Sequence, residues 1–125
     1  MIRKIVVTTG SRSEYGILKP VLNSIIASKK LKLYLVVAGM HLSKEHGLTI
    51  NEIIRDGYKI HAKVKMVPKG NSNYDMAMSL GYGIIQFSDI FKKIKPDVNL
   101  ILGDRDEVFA SALAASHMNI PNAHI

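Results

Sequence analysis

Cysteine is missing from the chain altogether. That excludes disulfides and cysteine-held metal sites, and it fits a reducing compartment. Long apolar runs are missing as well. No stretch approaches the ~18 residues of a membrane-spanning helix. The opening MIRKIVVTTG turns polar too soon for a signal peptide. A cytoplasmic location without a membrane partner is therefore the expectation. Aromatic residues make up only 6% of the chain, and neither an aromatic ladder nor a basic helix accompanies the positive charge. Nucleic acid is thus not an expected partner. Internal repeats, linkers and low-complexity segments are also absent.

What is present suits one domain. The chain has 125 residues, 47% of them hydrophobic, and a net charge of +7. That length and apolar share allow one sizeable core. The lysines cluster at Lys29, Lys30 and Lys32, at Lys59, Lys63, Lys65 and Lys69, and at Lys92, Lys93 and Lys95. Such a surface attracts phosphorylated ligands, or is simply a solvated face.

Short β-branched runs alternate with stretches of helical periodicity. Residues 2–9, 31–39, 58–67, 96–103 and 120–125 read as strands. Residues 14–28, 48–57, 74–95 and 105–119 read as helices. Strand 58–67 alternates apolar residues with Lys59, His61, Lys63 and Lys65, which predicts a sheet edge. Pro20 lies within the first helical stretch, and Gly81 and Gly83 within the third. The methionines, Met76 and Met78 included, are expected in the core. The order β-α-β-α-β-α-β-α-β predicts an α/β domain over 1–125: a Rossmann-like parallel sheet with helices on both faces.

In such a sheet, ligands sit outside the carboxyl ends of the strands. Three polar loops follow strands there: TGSRSEY (9–15), GMHLSKEHG (39–47) and GDRDE (103–107). In the first, Gly10 permits a tight turn, Ser11 or Ser13 can cap the next helix, and Arg12 offers a bidentate fork to phosphate. The loop is neither a dinucleotide fingerprint nor a P-loop. The second loop carries His41 and His46, either acid–base groups or histidines without mechanistic duty. No third ligand supports a metal site. His61 and His117 are expected to be structural or exposed. In the third loop, Asp104 directs a carboxylate into the crevice, and Arg105 holds an anion or locks Asp104. Asp106 and Glu107 relieve the helix dipole.

GSRSEYGILKP, GMHLSKEHG and KPDVNLILGDRDEVFASALAASHMNIPNAHI, in that order, resemble the N-terminal half of UDP-N-acetylglucosamine 2-epimerases. The likeness is strongest to the hydrolysing branch found in sialic-acid precursor synthesis. The non-hydrolysing branch usually has Gly-Asp-Thr where this chain has Gly103-Asp104-Arg105. The resemblance departs at Asp106, where an aromatic residue is common, at Leu102, where some members have histidine, and at Gly16, where some have a polar residue touching the nucleotide. It implies a two-domain fold of the glycosyltransferase-B type. This chain would be its N-terminal half, truncated before the C-terminal nucleotide-binding domain and before a catalytic glutamate that the family carries beyond Ile125.

The implied reaction is elimination of UDP from UDP-N-acetylglucosamine followed by hydration to N-acetylmannosamine, with no cofactor or metal required. Asp104 is the implied acid–base residue. Gly10, Arg12, His41 and Arg105 are implied substrate contacts, with Glu14 and Glu107 as secondary candidates. The expected partners are a UDP-sugar and either a second copy or the C-terminal half. The chain alone is expected to be inactive. A glycosyltransferase-B half and a noncatalytic nucleotide-sugar-binding module remain as alternatives.

Overall fold

The computed structural model describes residues 1–44 and 47–125. Strands β1 (Arg3–Thr9), β2 (Leu31–Ala38), β3 (Ile60–Val64), β4 (Val98–Ile101) and β5 (Asn122–His124) alternate with helices α1 (Arg12–Ala27), α2 (Ile50–Arg55), α3 (Asn73–Ile94) and α4 (Asp106–His117). This is the element order read from periodicity, with each strand and helix somewhat shorter or shifted at its ends. A 3-10 turn, Gly39–Leu42, follows β2.

All four strand pairings are parallel, in the order β3-β2-β1-β4-β5. Central strands buried on both sides read as continuous apolar runs, and Val6 and Val7 in β1 are both fully buried. β3 lies at an edge, and its alternation survives there: Lys59, His61 and Lys63 are exposed while Val64 is buried.

One face of the sheet packs Ile5, Val7, Leu35 and Val37 against Tyr15, Leu18, Leu22 and Ile25 of α1 and Ile53 of α2. The other packs Val6, Val36 and Val64 against Phe87 and Phe91 of α3 and Ala110, Ala114 and Ala115 of α4. Each such fully buried aliphatic or aromatic side chain contributes about 1.5–3 kcal/mol. The alanines let α4 approach the sheet closely.

Three local findings refine the sequence reading. Pro20 lies in the interior of α1, which continues through it to Ala27. α3 runs unbroken through both glycines. It opens on a capping box between Ser72 and Asp75 and closes on a left-handed Lys95. Gly83 marks a close approach, because a Cβ there would lie 2.4 Å from the Met66 sulfur. The methionine expectation is corrected. Met66 is buried, but Met76 and Met78 are 45% and 38% exposed. Met78 falls on the outer stripe with Tyr74, Tyr82 and Ile85, whereas Met76, about 200° away on the first turns of α3, lines a cavity with Met66, Arg105 and Glu107. Periodicity alone does not say which of two apolar stripes packs inward or where the sheet ends.

The chain winds outward from β1 through β2 to β3. It then crosses by α3 to β4, on the other side of β1. The carboxyl ends of β1 and β4 therefore flank the topological switch point, the place where open α/β sheets bind ligands.

Candidate active site

The loops after β1, β2 and β4 meet at this rim. Ser11 caps α1 by accepting a hydrogen bond from the Glu14 amide, while the Glu14 carboxylate turns back and accepts one from the Gly10 amide at 2.9 Å. Glu14 is buried, and its pKa is raised. Desolvation is the main cause, opposed by the Gly10 hydrogen bond, and the nearby Glu107 carboxylate pushes in the same direction as burial.

Glu107 occupies the centre of the rim. It is only 5% exposed. A Cβ on Gly10 would lie 3.0 Å from its side-chain carbons, and one on Gly39 would lie 2.3 Å from its Oε1. Gly10 thus serves close approach more than turn geometry. Gly39 serves both, since its φ is +59°. Two of the three loops are in this way built around one side chain of α4.

Arg105 donates from Nε to Glu107 Oε2 at 3.1 Å and from Nη2 to the Met40 sulfur. The expectation that Arg105 locks Asp104 is therefore corrected. Its partner is Glu107, which lies on the buried side of α4 and offers a poorly hydrated carboxylate. Asp106 and Glu107 both lie in the first turn of α4, as expected of acids at a helix N-terminus, but Asp106 is exposed there and Glu107 is buried.

Asp104 is left exposed at the rim, with no hydrogen bond or ion pair to any described residue. Gly103 before it adopts φ +83°, and its carbonyl accepts a hydrogen bond from His124 Nε2 at 2.7 Å. β5 thereby steadies the turn that presents Asp104.

Arg12 begins α1 beside the rim and pairs with Glu52 of α2 at 3.2 Å, with both side chains well exposed. Such a pair holds its arginine weakly.

His41 departs from the expectation of a rim contact. It is fully buried, with Nε2 2.9 Å from Thr9 Oγ1 and Nδ1 2.6 Å from Thr49 Oγ1, and it meets the Tyr15 ring edge-on. Burial lowers its pKa to about 4. It is a neutral brace between β1 and the start of α2, buried beneath the rim. His46 lies outside the described residues.

A cavity of about 320 Å³ opens beside the rim, lined in part by Met40, Met66, Pro68, Met76, Arg105 and Glu107. The structure thus brings Gly10, Glu14, Glu107 and Arg105 together, with Asp104 on the same turn as Arg105. It places Arg12 at the margin and His41 underneath. The roles of Met40 and His124 were missed in the sequence. Both lie inside the quoted stretches, Met40 in GMHLSKEHG and His124 at the end of the NIPNAHI block, but each acts through an atom that only the meeting of separate loops brings into range. Among the described residues, no cluster of three His, Asp or Glu side chains offers a metal site, and no helix is long and apolar enough to cross a membrane.

The family model for UDP-N-acetylglucosamine 2-epimerase matches residues 23–125. The chain belongs to that family. UDP-N,N'-diacetylbacillosamine 2-epimerase (hydrolyzing) of Legionella pneumophila is 39% identical over all 125 residues, which cover 33% of that protein. Polysialic acid biosynthesis protein P7 of Escherichia coli is 36% identical over 124 residues, 99% of this chain and 32% of that one. The Methanocaldococcus jannaschii UDP-N-acetylglucosamine 2-epimerase, solved in complex with UDP-N-acetylglucosamine and UDP, has the same fold. Its TM-score is 0.78 at 22% identity, covering 98% of this chain and 32% of that one. The chain spans about a third of the length of the curated relatives it matches, and the match is to their N-terminal part. Its sheet is that of the N-terminal, Rossmann-like part of a glycosyltransferase-B-like epimerase.

Proposed function

We propose that this chain supplies one wall of the active site of a hydrolysing UDP-N-acetylglucosamine 2-epimerase. The observation that carries the reading is the state of Asp104. It is an exposed carboxylate without a protein partner, fixed on a turn at the switch point next to an arginine whose fork is already oriented. A carboxylate bound to a neighbouring cation would be a poorer base. Asp104 has no cation paired with it among the described residues, which supports the role of base proposed for it.

The chemistry is the one that membership of the epimerase family implies, assigned to residues by their placement at the rim. Asp104 removes the proton at C2 of the sugar. The C1–O bond to UDP breaks, its electron pair leaves with UDP, and a C1–C2 double bond forms. Water then adds its oxygen to C1, and a proton returns to C2 on the opposite face, giving N-acetylmannosamine. Negative charge grows on the departing diphosphate. Arg105, held by Glu107 and Met40, and Arg12, freed from its weak pair with Glu52, are placed to stabilise it. Gly10 and Gly39 serve indirectly by admitting Glu107. His41 acts as a positioning residue under Thr9 rather than as a substrate contact. The scheme needs no cofactor.

A second substrate is favoured by one observation. The Legionella relative, 39% identical across the entire chain, is named for UDP-N,N'-diacetylbacillosamine. A further acetamido group on the sugar leaves the C2 chemistry unchanged.

The test grafts residues 1–125 in place of the matching N-terminal third of that relative. UDP release and deuterium entry at C2 are then measured with both nucleotide sugars. Turnover is expected. Asp104→Asn, which keeps the shape and loses the base, is expected to reduce it by about 10²–10⁴-fold with an unchanged melting temperature. Asp106→Ala, on the exposed first turn of α4, is expected to leave turnover near that of the parent. Deuterium exchange surviving in Asp104→Asn would overturn the assignment of the base. Tight binding of UDP-sugar with no turnover by the parent graft would favour a noncatalytic module.

A further inference from the structure

Three of the chain's six methionines meet in one place. Met40 comes from the turn after β2, Met66 from the segment after β3 and Met76 from the first turns of α3. Together they line the cavity of about 320 Å³ beside the rim, with Val67 and Pro68 as further apolar wall. Two of the three thioethers are held. Met66 is buried, and its sulfur lies so close to Gly83 that a Cβ there would sit 2.4 Å from it. The Met40 sulfur accepts a hydrogen bond from Arg105 Nη2. Met76, 45% exposed, is the movable wall, since an unbranched thioether turns about three bonds and adapts to what it touches.

The polar groups around the cavity are already engaged. Ser79 donates its hydroxyl to the Met66 carbonyl at 2.9 Å, and Glu107 accepts from Arg105 Nε. Asp106, which also borders the cavity, is exposed and keeps its water. A hydroxyl entering here exchanges water for thioethers and loses hydrogen bonds, whereas an apolar group gains by leaving water.

We propose that this cavity is an acyl pocket, which takes the N-acyl tail at C2 of the sugar and admits chains longer than acetyl. The inference rests on the epimerase reading above. Arg105 and Glu107 belong both to the cavity wall and to the start of α4, immediately after Asp104. With Asp104 at the C2 hydrogen, the apolar group nearest the cavity is the acyl tail that C2 itself carries. The other ring substituents of UDP-N-acetylglucosamine are hydroxyl groups, for which thioethers are poor partners. An acetyl methyl fills only a small part of about 320 Å³, where the share of one water in the liquid is about 30 Å³. Met76 can close on a short tail or give way to a longer one.

Two measurements test this. In the first, the graft described above is assayed with UDP-glucosamine carrying N-acetyl, N-propionyl or N-butanoyl groups. Both longer homologues are expected to turn over, with KM lowered about fourfold per added methylene. The readout is the ratio of kcat/KM between butanoyl and acetyl. Met76→Gln, which makes the wall polar, is expected to bring that ratio close to one. Met76→Phe, which fills the cavity, is expected to make butanoyl the poorest of the three. In the second, the 125-residue chain labelled at its methionine methyls is titrated by NMR. The signals of Met40, Met66 and Met76 are expected to move with the acylated nucleotide sugars, most with butanoyl, and far less with UDP-glucosamine itself, whose amine is free. A graft that turns over the acetyl sugar but gains nothing from longer tails, or keeps its preference in both Met76 variants, would overturn the acyl pocket and leave the epimerase reading standing. An inactive graft with methionine signals that still follow acyl length would overturn the epimerase reading and leave the pocket standing. Methionine signals that ignore the acyl group, or respond equally to the free amine, would overturn the pocket whatever the graft does.

Discussion

At the scale of the residue, the rim is organised by buried side chains. Glu107 is wedged against Gly10 and Gly39 and orients Arg105. His41 lies beneath Thr9 with both ring nitrogens engaged. The histidine gives a pH signature. Its ordinary pKa is 6.5, and burial lowers it to about 4 in the folded chain. Between these values the unfolded chain binds more protons than the folded one. The stability tied to neutral His41 is complete above about pH 6.5 and is lost as pH falls toward 4, by about 3 kcal/mol in all. Glu14 acts in the opposite sense. Its raised pKa means that the folded chain holds that proton more readily, so its contribution weakens as pH rises. Urea unfolding of the parent and of His41→Gln across pH 4–7 separates the two. The difference between the curves isolates the histidine and is expected to be steepest between pH 4 and 6.5. Parallel curves would show that His41 is not the group responsible.

At the scale of the element, α1 carries a defect on its solvent side. Pro20 is exposed and sits in the helix interior, where it removes the amide that the Gly16 carbonyl would accept. Gly16 is itself exposed, so water reaches that carbonyl and the helix survives. The buried stripe Tyr15, Leu18, Leu22 and Ile25 holds it in place. Pro20→Ala restores the hydrogen bond and is expected to raise stability by about 1–2 kcal/mol. Part of the helical gain is offset by the greater freedom of the unfolded chain. A urea midpoint that stays the same or falls would show that proline's restriction of the unfolded chain outweighs the missing bond.

At the scale of the molecule, the strand order decides where chemistry can occur. Because α3 carries the chain back past β1, the loops after β1 and β4 become neighbours and form an open crevice. The groups proposed to act there, Asp104, Arg105 and Arg12, all face solvent. Bulk water screens their charges and competes for their hydrogen bonds, so one wall is a poor catalyst. The 125-residue chain by itself is expected to release no UDP from UDP-N-acetylglucosamine above background, as measured in a coupled UDP assay. Sustained turnover by this chain would show that the crevice needs no second wall.

The order of strands and helices, the edge position of β3 and the convergence of TGSRSEY and GDRDE on one rim were all legible in the sequence. They follow from hydrophobic periodicity and from the geometry of parallel strands, which are local and additive. The three polar loops were legible too, since in each a run of polar and charged residues follows a buried strand directly. What the sequence could not settle was the direction of individual side chains. Asp104 and Glu107 both sit at the start of α4, yet one is free in solvent and the other is buried against two glycines from distant loops. His41 reads as a loop residue and is a core residue. Met76 and Met78 read as core and are exposed. In each case the outcome depends on which surface another element presents to that side chain. That is decided only when the elements pack, because packing sets which polar groups lose water and which partners they gain.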